Sequence, residues 1–114
     1  MTMSPDDAAL HAMRMKKFEQ SVAETERLNF KCAYMHLSAL SPTTRKSHAD
    51  RHGKLFTAEQ VRKFWSDPTN IEGCKCAVVA VMLGADGEPI VSASLENARA
   101  TYEKMAVRGY EWSK

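Results

Sequence analysis

Four residues in the middle of the chain have side chains of the types that bind zinc in proteins. His48 and His52 are four residues apart, and Cys74 and Cys76 are two residues apart. Residues at i and i+4 share one face of a helix, and residues at i and i+2 share one face of a strand. The spacing therefore predicts two pairs of ligands, and two imidazoles with two thiolates form a tetrahedral set for a structural zinc ion.

Other interpretations of these residues remain open. The histidines precede the cysteines, and the cysteine spacing departs from the usual C-x₂₋₄-C arrangement. Cys74 and Cys76 would also suit a strand as small buried residues, with both histidines on a polar surface loop. Cys32 and His36, again four residues apart, would supply substitute ligands if their segment is helical.

A catalytic use of the same residues needs an additional base. A catalytic zinc ion keeps one position open beside a carboxylate or histidine, and Asp50 or Glu59 can be proposed for that role. The sequence has no Ser/His/Asp order, no paired-carboxylate motif and no glycine-rich phosphate loop. We therefore expect a non-enzymatic protein, and the alternative is a small nuclease-type toxin or effector module that uses the histidine-bearing loop.

The composition is that of one globular domain that carries little net charge. The 114 residues are 44% hydrophobic and 26% charged, and 16 basic against 14 acidic residues leave a charge of +2. Such a charge is too small to indicate nucleic-acid binding without local clustering. Contact with DNA or a partner would depend on a cluster of basic residues. The alternative interpretation is that this cluster is an ordinary solvent-exposed face. The cluster contains Arg45, Lys46, Arg51, Lys54, Arg62 and Lys63.

The sequence also bears on the cellular compartment. No segment has the pattern of a secretory signal, and no apolar run approaches the roughly 20 residues needed to cross a bilayer. Three cysteines are an odd number, and the pair separated by one residue is poorly suited to a disulfide. We expect a soluble chain with reduced thiols, made in the cytoplasm and without membrane contact.

The two ends of the chain are predicted to be helical. Residues 1–29 should contain an amino-terminal helix, because Ser4 and Pro5 supply a cap and a first-turn proline before an apolar stripe. Residues 94–114 should contain a carboxy-terminal helix, with apolar residues at three- and four-residue spacing and Gly109 as its terminator. Both helices are expected to belong to one globular domain with the segment between them.

The middle segment, residues 30–93, predicts a mixed structure. Residues 30–40 fit a helix or a strand, and the polar stretch that follows reads as a long loop with at most one helical turn. Thr57 and Gln60 form a capping-box pattern that starts a short helix. The runs CAVVAVML and IVSA, separated by GADGEP, predict a β-hairpin. The predicted fold is α+β, with terminal helices packed around this hairpin.

A longer pattern extends from about residue 41 to residue 91. It consists of an arginine-containing polar turn, a histidine, a glycine before a basic residue, a tryptophan-bearing linker and a C-[RK]-C ending. The residues that form it are Arg45, His48, Gly53, Lys54, Phe56, Trp65, Pro68, Gly73, Cys74, Lys75 and Cys76. In order and spacing this pattern resembles the carboxy-terminal module of the phage Mu F-like head morphogenesis, or minor capsid, proteins.

Two features depart from the family pattern. The family often has an aspartate or a cysteine in the turn before the histidine, where this sequence has Ser41, Thr43 and Thr44. A ligand carried over from that position is therefore absent. Family members are also usually several hundred residues long, with a large helical amino-terminal part that has no counterpart here.

The resemblance implies a role in virion assembly. It predicts a minor head component that acts near the portal, in the host cytoplasm during assembly and afterwards in the virion. Phage capsid or portal proteins, and also the packaged DNA, would be its partners. The apolar stripes of the terminal helices add the expectation that the chain can associate with itself.

Overall fold

A three-stranded antiparallel sheet lies at the centre of the fold, which a computed structural model describes for residues 4–114. The first three residues of the predicted amino-terminal segment lie outside this range. The predicted α+β class is confirmed, with five α-helices beside the sheet and a final turn of 3₁₀-helix. In chain order the elements are α1 (Pro5–Arg27), β1 (Cys32–Leu37), α2 (Lys46–Ala49), β2 (Leu55–Phe56), α3 (Ala58–Phe64), α4 (Pro68–Ile71), β3 (Ala77–Met82), α5 (Ala93–Ala106) and the 3₁₀ turn (Glu111–Ser113).

Helix α1 begins where the sequence predicts. The Ser4 hydroxyl accepts a hydrogen bond from the Asp7 amide at 3.1 Å, and Pro5 occupies the first turn. Phe18 and Val22 are buried on the inward face, which packs on one side of the sheet. Neither α1 nor any other helix within residues 4–114 combines the length and apolar character needed to span a bilayer.

Strand β1 is the central strand, with β2 and β3 on either side of it. Tyr34 faces α1, where its ring lies 5.0 Å from that of Phe18. Met35 faces the opposite side and packs with Val81 and with Ala98 of α5. Because helices cover both faces of β1, the strand lacks the alternation of apolar and polar residues that separates a strand from a helix in a sequence.

The predicted β-hairpin is wrong in its second strand. Strand β3 pairs with β1, with Tyr34 opposite Ala80, and the IVSA segment forms no strand. Only an isolated bridge forms after the turn, where the Ile90 amide donates to the Met82 carbonyl at 3.0 Å. Ile90 and Val91 are 62% and 63% exposed, so this segment does not pack into the core. The distant strand β1 offers β3 a more extensively buried partner.

The remaining elements follow local sequence signals. The capping box between Thr57 and Gln60 is present and starts α3, and Pro68 begins the additional short helix α4. Helix α5 forms as predicted. Beyond it, Trp112 is 1% exposed and donates from its indole nitrogen to the Ser41 carbonyl at 2.9 Å. This contact holds the start of the polar loop against the carboxy-terminal end of the chain.

Candidate metal centre

Three of the four predicted ligands come together. The side-chain donor atoms of His48, Cys74 and Cys76 all lie within 4.8 Å of one another. His48 Nδ1 lies 3.2 Å from the sulfur of Cys74 and 3.5 Å from that of Cys76. All three residues are buried, and only 2% of His48 is exposed to solvent. The group is therefore close enough to hold a metal ion.

Two local structures aim these side chains at one point. His48 lies in the single turn of α2, and its ring packs edge-on against Phe64 at 5.1 Å, which fixes the imidazole plane. Cys74 and Cys76 precede β3 in an extended segment, so their side chains share one face. Gly73, with φ of +66°, reverses the chain just before them, a conformation that a residue with a side chain adopts at a cost.

The structure does not bring His52 to this group. Its Nδ1 accepts a hydrogen bond from the Ser38 amide at 3.0 Å, so its Nε2 carries the proton and donates to the Ala98 carbonyl at 3.1 Å. Helix α2 ends at Ala49, and the i and i+4 relation assumed for the histidines is lost beyond it. The prediction of His52 as a ligand is corrected: the residue joins the loop to α5. Burial lowers its pKa, in keeping with a neutral ring.

Replacing His52 with alanine should separate these two roles. We expect the variant to lose about 2 kcal/mol of stability, because it gives up two hydrogen bonds to buried backbone groups. Its metal content should equal that of the wild type. Denaturant unfolding and elemental analysis of the same preparation measure both quantities. A folded His52→Ala protein without metal would return His52 to the ligand set.

The two thiols are electrostatically unequal before any metal binds. The hydrogen bond from Cys76, together with that of His48, lowers the pKa of Cys74 to about 4. The same contact with Cys74 and burial raise the pKa of Cys76. These opposite shifts favour a thiolate at Cys74 and a thiol at Cys76. A divalent cation would displace the remaining proton, because thiolates are the form that binds metals.

Arg14 is part of the site although the sequence analysis did not single it out. Its guanidinium donates to the Cys76 carbonyl at 3.1 Å and to the Cys74 carbonyl at 3.4 Å, and lies 3.9 Å from the Cys74 sulfur. It also stacks over Trp65 at 3.8 Å. Arg14 falls on the stripe of α1 four residues before Phe18, a position that predicts an inward-facing side chain but not its contact with the cysteines.

A small cavity opens beside the three ligand residues. Its volume is about 210 Å³, and all three ligands contribute to its wall. The rest of the wall is polar, with hydroxyl and cationic side chains from the loop and from the residue between the cysteines. The other lining residues are Ala39, Ser41, Thr43, Thr44, Arg45, Gly73 and Lys75.

Cys32 and His36 do not substitute for these ligands. Both lie in β1, which is a strand, so the helical spacing that would pair them is absent. The Cys32 sulfur contacts the Tyr34 hydroxyl at 3.4 Å. His36 is buried and stacks on Trp65, and burial lowers its pKa to about 3. His36 thus lies in the core, and Cys32 is partly buried against it.

The basic cluster of the sequence is largely engaged within the chain. Arg62 forms two hydrogen bonds with the Glu19 carboxylate, at 2.8 and 3.0 Å. Arg51 is half-buried, and its guanidinium lies 3.9 Å from the ring of Phe56 and 3.8 Å from that of Phe64. Arg51 therefore contributes to packing, whereas Arg62 forms an exposed ion pair.

Two more cations of the cluster have intramolecular contacts. Arg45 donates to the backbone carbonyls of Thr69 and Glu72, which fastens the loop to the end of α4. Lys46 pairs with Asp50 at 3.6 Å. The exposed side chains of Lys54 and Lys63 complete the cluster. Four of the six cations thus contact other groups of the chain: Arg45, Lys46, Arg51 and Arg62.

The fold and the site together define a small α+β domain with a buried histidine and two buried cysteines that can hold a metal ion. Comparisons with protein-family models, with curated proteins and with solved structures find no match to this chain. The likeness to the Mu F-like module remains a prediction from the sequence pattern.

Proposed function

We propose that this chain is a zinc-binding module of a phage minor head protein, in which His48, Cys74 and Cys76 hold a structural zinc ion. The observation that carries the proposal is the convergence of one imidazole and two thiols within 4.8 Å in the protein interior. Mixed nitrogen and thiolate sets are the ligands that zinc takes in structural sites. The ion would supply folding free energy without redox chemistry.

The ion would join helix α2 to the segment that leads into β3. Helix α2 has four residues, far fewer than an isolated helix needs to be stable in water. A bond from His48 to the cysteines closes a loop of more than 20 residues and fixes α2 against the start of β3. The polar loop would then be held by the metal together with Arg45 and Trp112.

Metal analysis of protein purified without added zinc tests this function. We expect about one equivalent of zinc per chain, and a lower unfolding temperature after treatment with a strong chelator. Protein with less than about a tenth of an equivalent, and with stability unchanged by the chelator, would show that the chain does not hold a structural metal.

The assembly role is supported by where the residues of the family-like pattern lie. His48, Cys74 and Cys76 form the metal group. Arg45 fastens the loop beside this group, and Trp65 packs against Arg14, which contacts the cysteine segment. The pattern thus corresponds to one folded unit. Both ring nitrogens of His52 are bonded and His48 is buried, which supports a non-enzymatic role over a nuclease using the histidine loop.

Two observations in the source genome and host test the assembly role. We expect neighbouring portal and scaffold genes, and heads purified from the same phage should contain the chain in a few copies. Expression alone in bacteria should leave growth unchanged. Growth arrest that His48→Ala with His52→Ala abolishes, or a neighbouring immunity gene, would instead support a toxin.

A further inference from the structure

The metal group supplies three protein ligands where a tetrahedral zinc ion takes four. Within residues 4–114, no fourth histidine, cysteine, aspartate or glutamate has a donor atom in the group. The three ligand residues all line the cavity of about 210 Å³. A fourth ligand would therefore have access to an ion at this group from the cavity.

The cavity wall is suited to an anion. Hydroxyl groups of Ser41, Thr43 and Thr44 line it, and Arg45 and Lys75 add positive charge. The hydroxyls are ordered, because the Ser41 amide donates to Thr44 Oγ1 at 2.9 Å and the two side-chain oxygens lie 3.1 Å apart. Hydroxyl protons and cations are the groups that bind carboxylate and phosphate oxygens.

The same wall argues against catalysis by a zinc-activated water. Hydrolytic zinc sites use a carboxylate or histidine beside the open position as a base. The lining residues include no aspartate or glutamate, and the one histidine among them, His48, is a ligand. A bound water occupies about 30 Å³, so the cavity has room for a larger group.

We infer that the fourth zinc ligand is a small oxyanion, a carboxylate or a phosphate, that enters from outside the chain through this cavity. The inference rests on the proposed zinc site. A carboxylate has two sources, a free anion or the acidic end of a partner chain bound at the polar loop. In either case one oxygen binds the metal and the other accepts hydrogen bonds from the cavity wall.

Cobalt-substituted protein tests the inference by its visible absorption. Sodium acetate and inorganic phosphate should shift the ligand-field bands in a saturable way, whereas perchlorate at equal ionic strength should not. A short peptide with a free carboxyl terminus, compared with its amide, distinguishes the sources. Tighter binding of the free-acid peptide than of acetate identifies a partner chain, and equal binding identifies a free anion.

Variants keep the test specific to the cavity. Lys75→Gln removes an exposed charge between the two cysteines and should weaken oxyanion binding about fivefold, with cobalt still bound. Lys63→Gln, an exposed lysine on α3 outside the cavity wall, is the matched control and should bind the anions as the wild type does.

The outcomes separate this inference from the function on which it rests. Protein that binds cobalt with bands unaffected by acetate and phosphate at every concentration would overturn the inference alone, leaving the structural zinc site in place. Equal weakening in the Lys75 and Lys63 variants would also overturn it. Protein that binds neither cobalt nor zinc would overturn both.

Discussion

Serine at position 74 or 76 should weaken zinc binding by at least about 100-fold, beyond the loss typical of changes around the ligands. A serine hydroxyl keeps its proton at neutral pH, so each variant loses a thiolate and one zinc–sulfur bond. Both sulfurs belong to the three-residue group around His48, so replacing either cysteine leaves the metal with two protein ligands. Competition with a chromophoric chelator measures the affinity.

Cys32 supplies the control for these substitutions. It is the one remaining cysteine of the sequence, lies in β1 and contacts Tyr34 rather than the metal group. Cys32→Ser should therefore bind zinc with the affinity of the wild type. If all three serine variants bind zinc equally, the ion is not held by Cys74 and Cys76.

Methionine in place of Arg14 should reduce the free energy of unfolding by about 3 kcal/mol and weaken zinc binding by about tenfold or more. Methionine keeps much of the apolar stem but cannot donate to the carbonyls of Cys74 and Cys76. It also removes the cation stacked over Trp65. Denaturant unfolding of the metal-free and zinc-bound forms measures the two effects separately.

Two further variants serve as controls for Arg14→Met. Arg27→Met removes an exposed arginine from the same helix, where it pairs with Glu24, and should cost less than about 0.5 kcal/mol. Arg14→Lys keeps the charge but not the planar fork, and should fall between wild type and Arg14→Met. An Arg14→Met protein as stable as Arg27→Met would show that Arg14 does not anchor the cysteine segment.

The helices were predictable because their signals are local. Ser4 with Pro5 and the capping box at Thr57 fix the starts of α1 and α3 within a few residues of chain. The apolar stripes that bury Phe18 and Val22 follow the helical period. Such signals need no knowledge of the rest of the fold.

The strand pairing was not predictable from the same kind of signal. Strand β3 pairs with β1, which begins more than 40 residues earlier, and not with the IVSA segment that follows it. Strand β1 is the better partner because it lies between two helical layers. The identity of a strand's partner is a property of the whole core. A sequence pattern limited to the neighbourhood of the turn cannot contain it.

Only the locally determined part of the site was predicted from the sequence. The two-residue spacing of Cys74 and Cys76 needs only an extended segment, and it placed both sulfurs correctly. Pairing His48 with His52 needed α2 to continue, but that helix ends at Ala49 and His52 bonds to α5 instead. The role of Arg14 depends on how α1 crosses the cysteine segment, which only the fold reveals.

The proposed function requires that one imidazole and two thiolates of this chain hold a zinc ion. X-ray absorption at the zinc edge of the purified protein tests it most directly, since the spectrum distinguishes sulfur from nitrogen and oxygen ligands. We expect two sulfurs at about 2.3 Å and two nitrogen or oxygen ligands at about 2.0–2.1 Å. A shell of nitrogen and oxygen alone would contradict it.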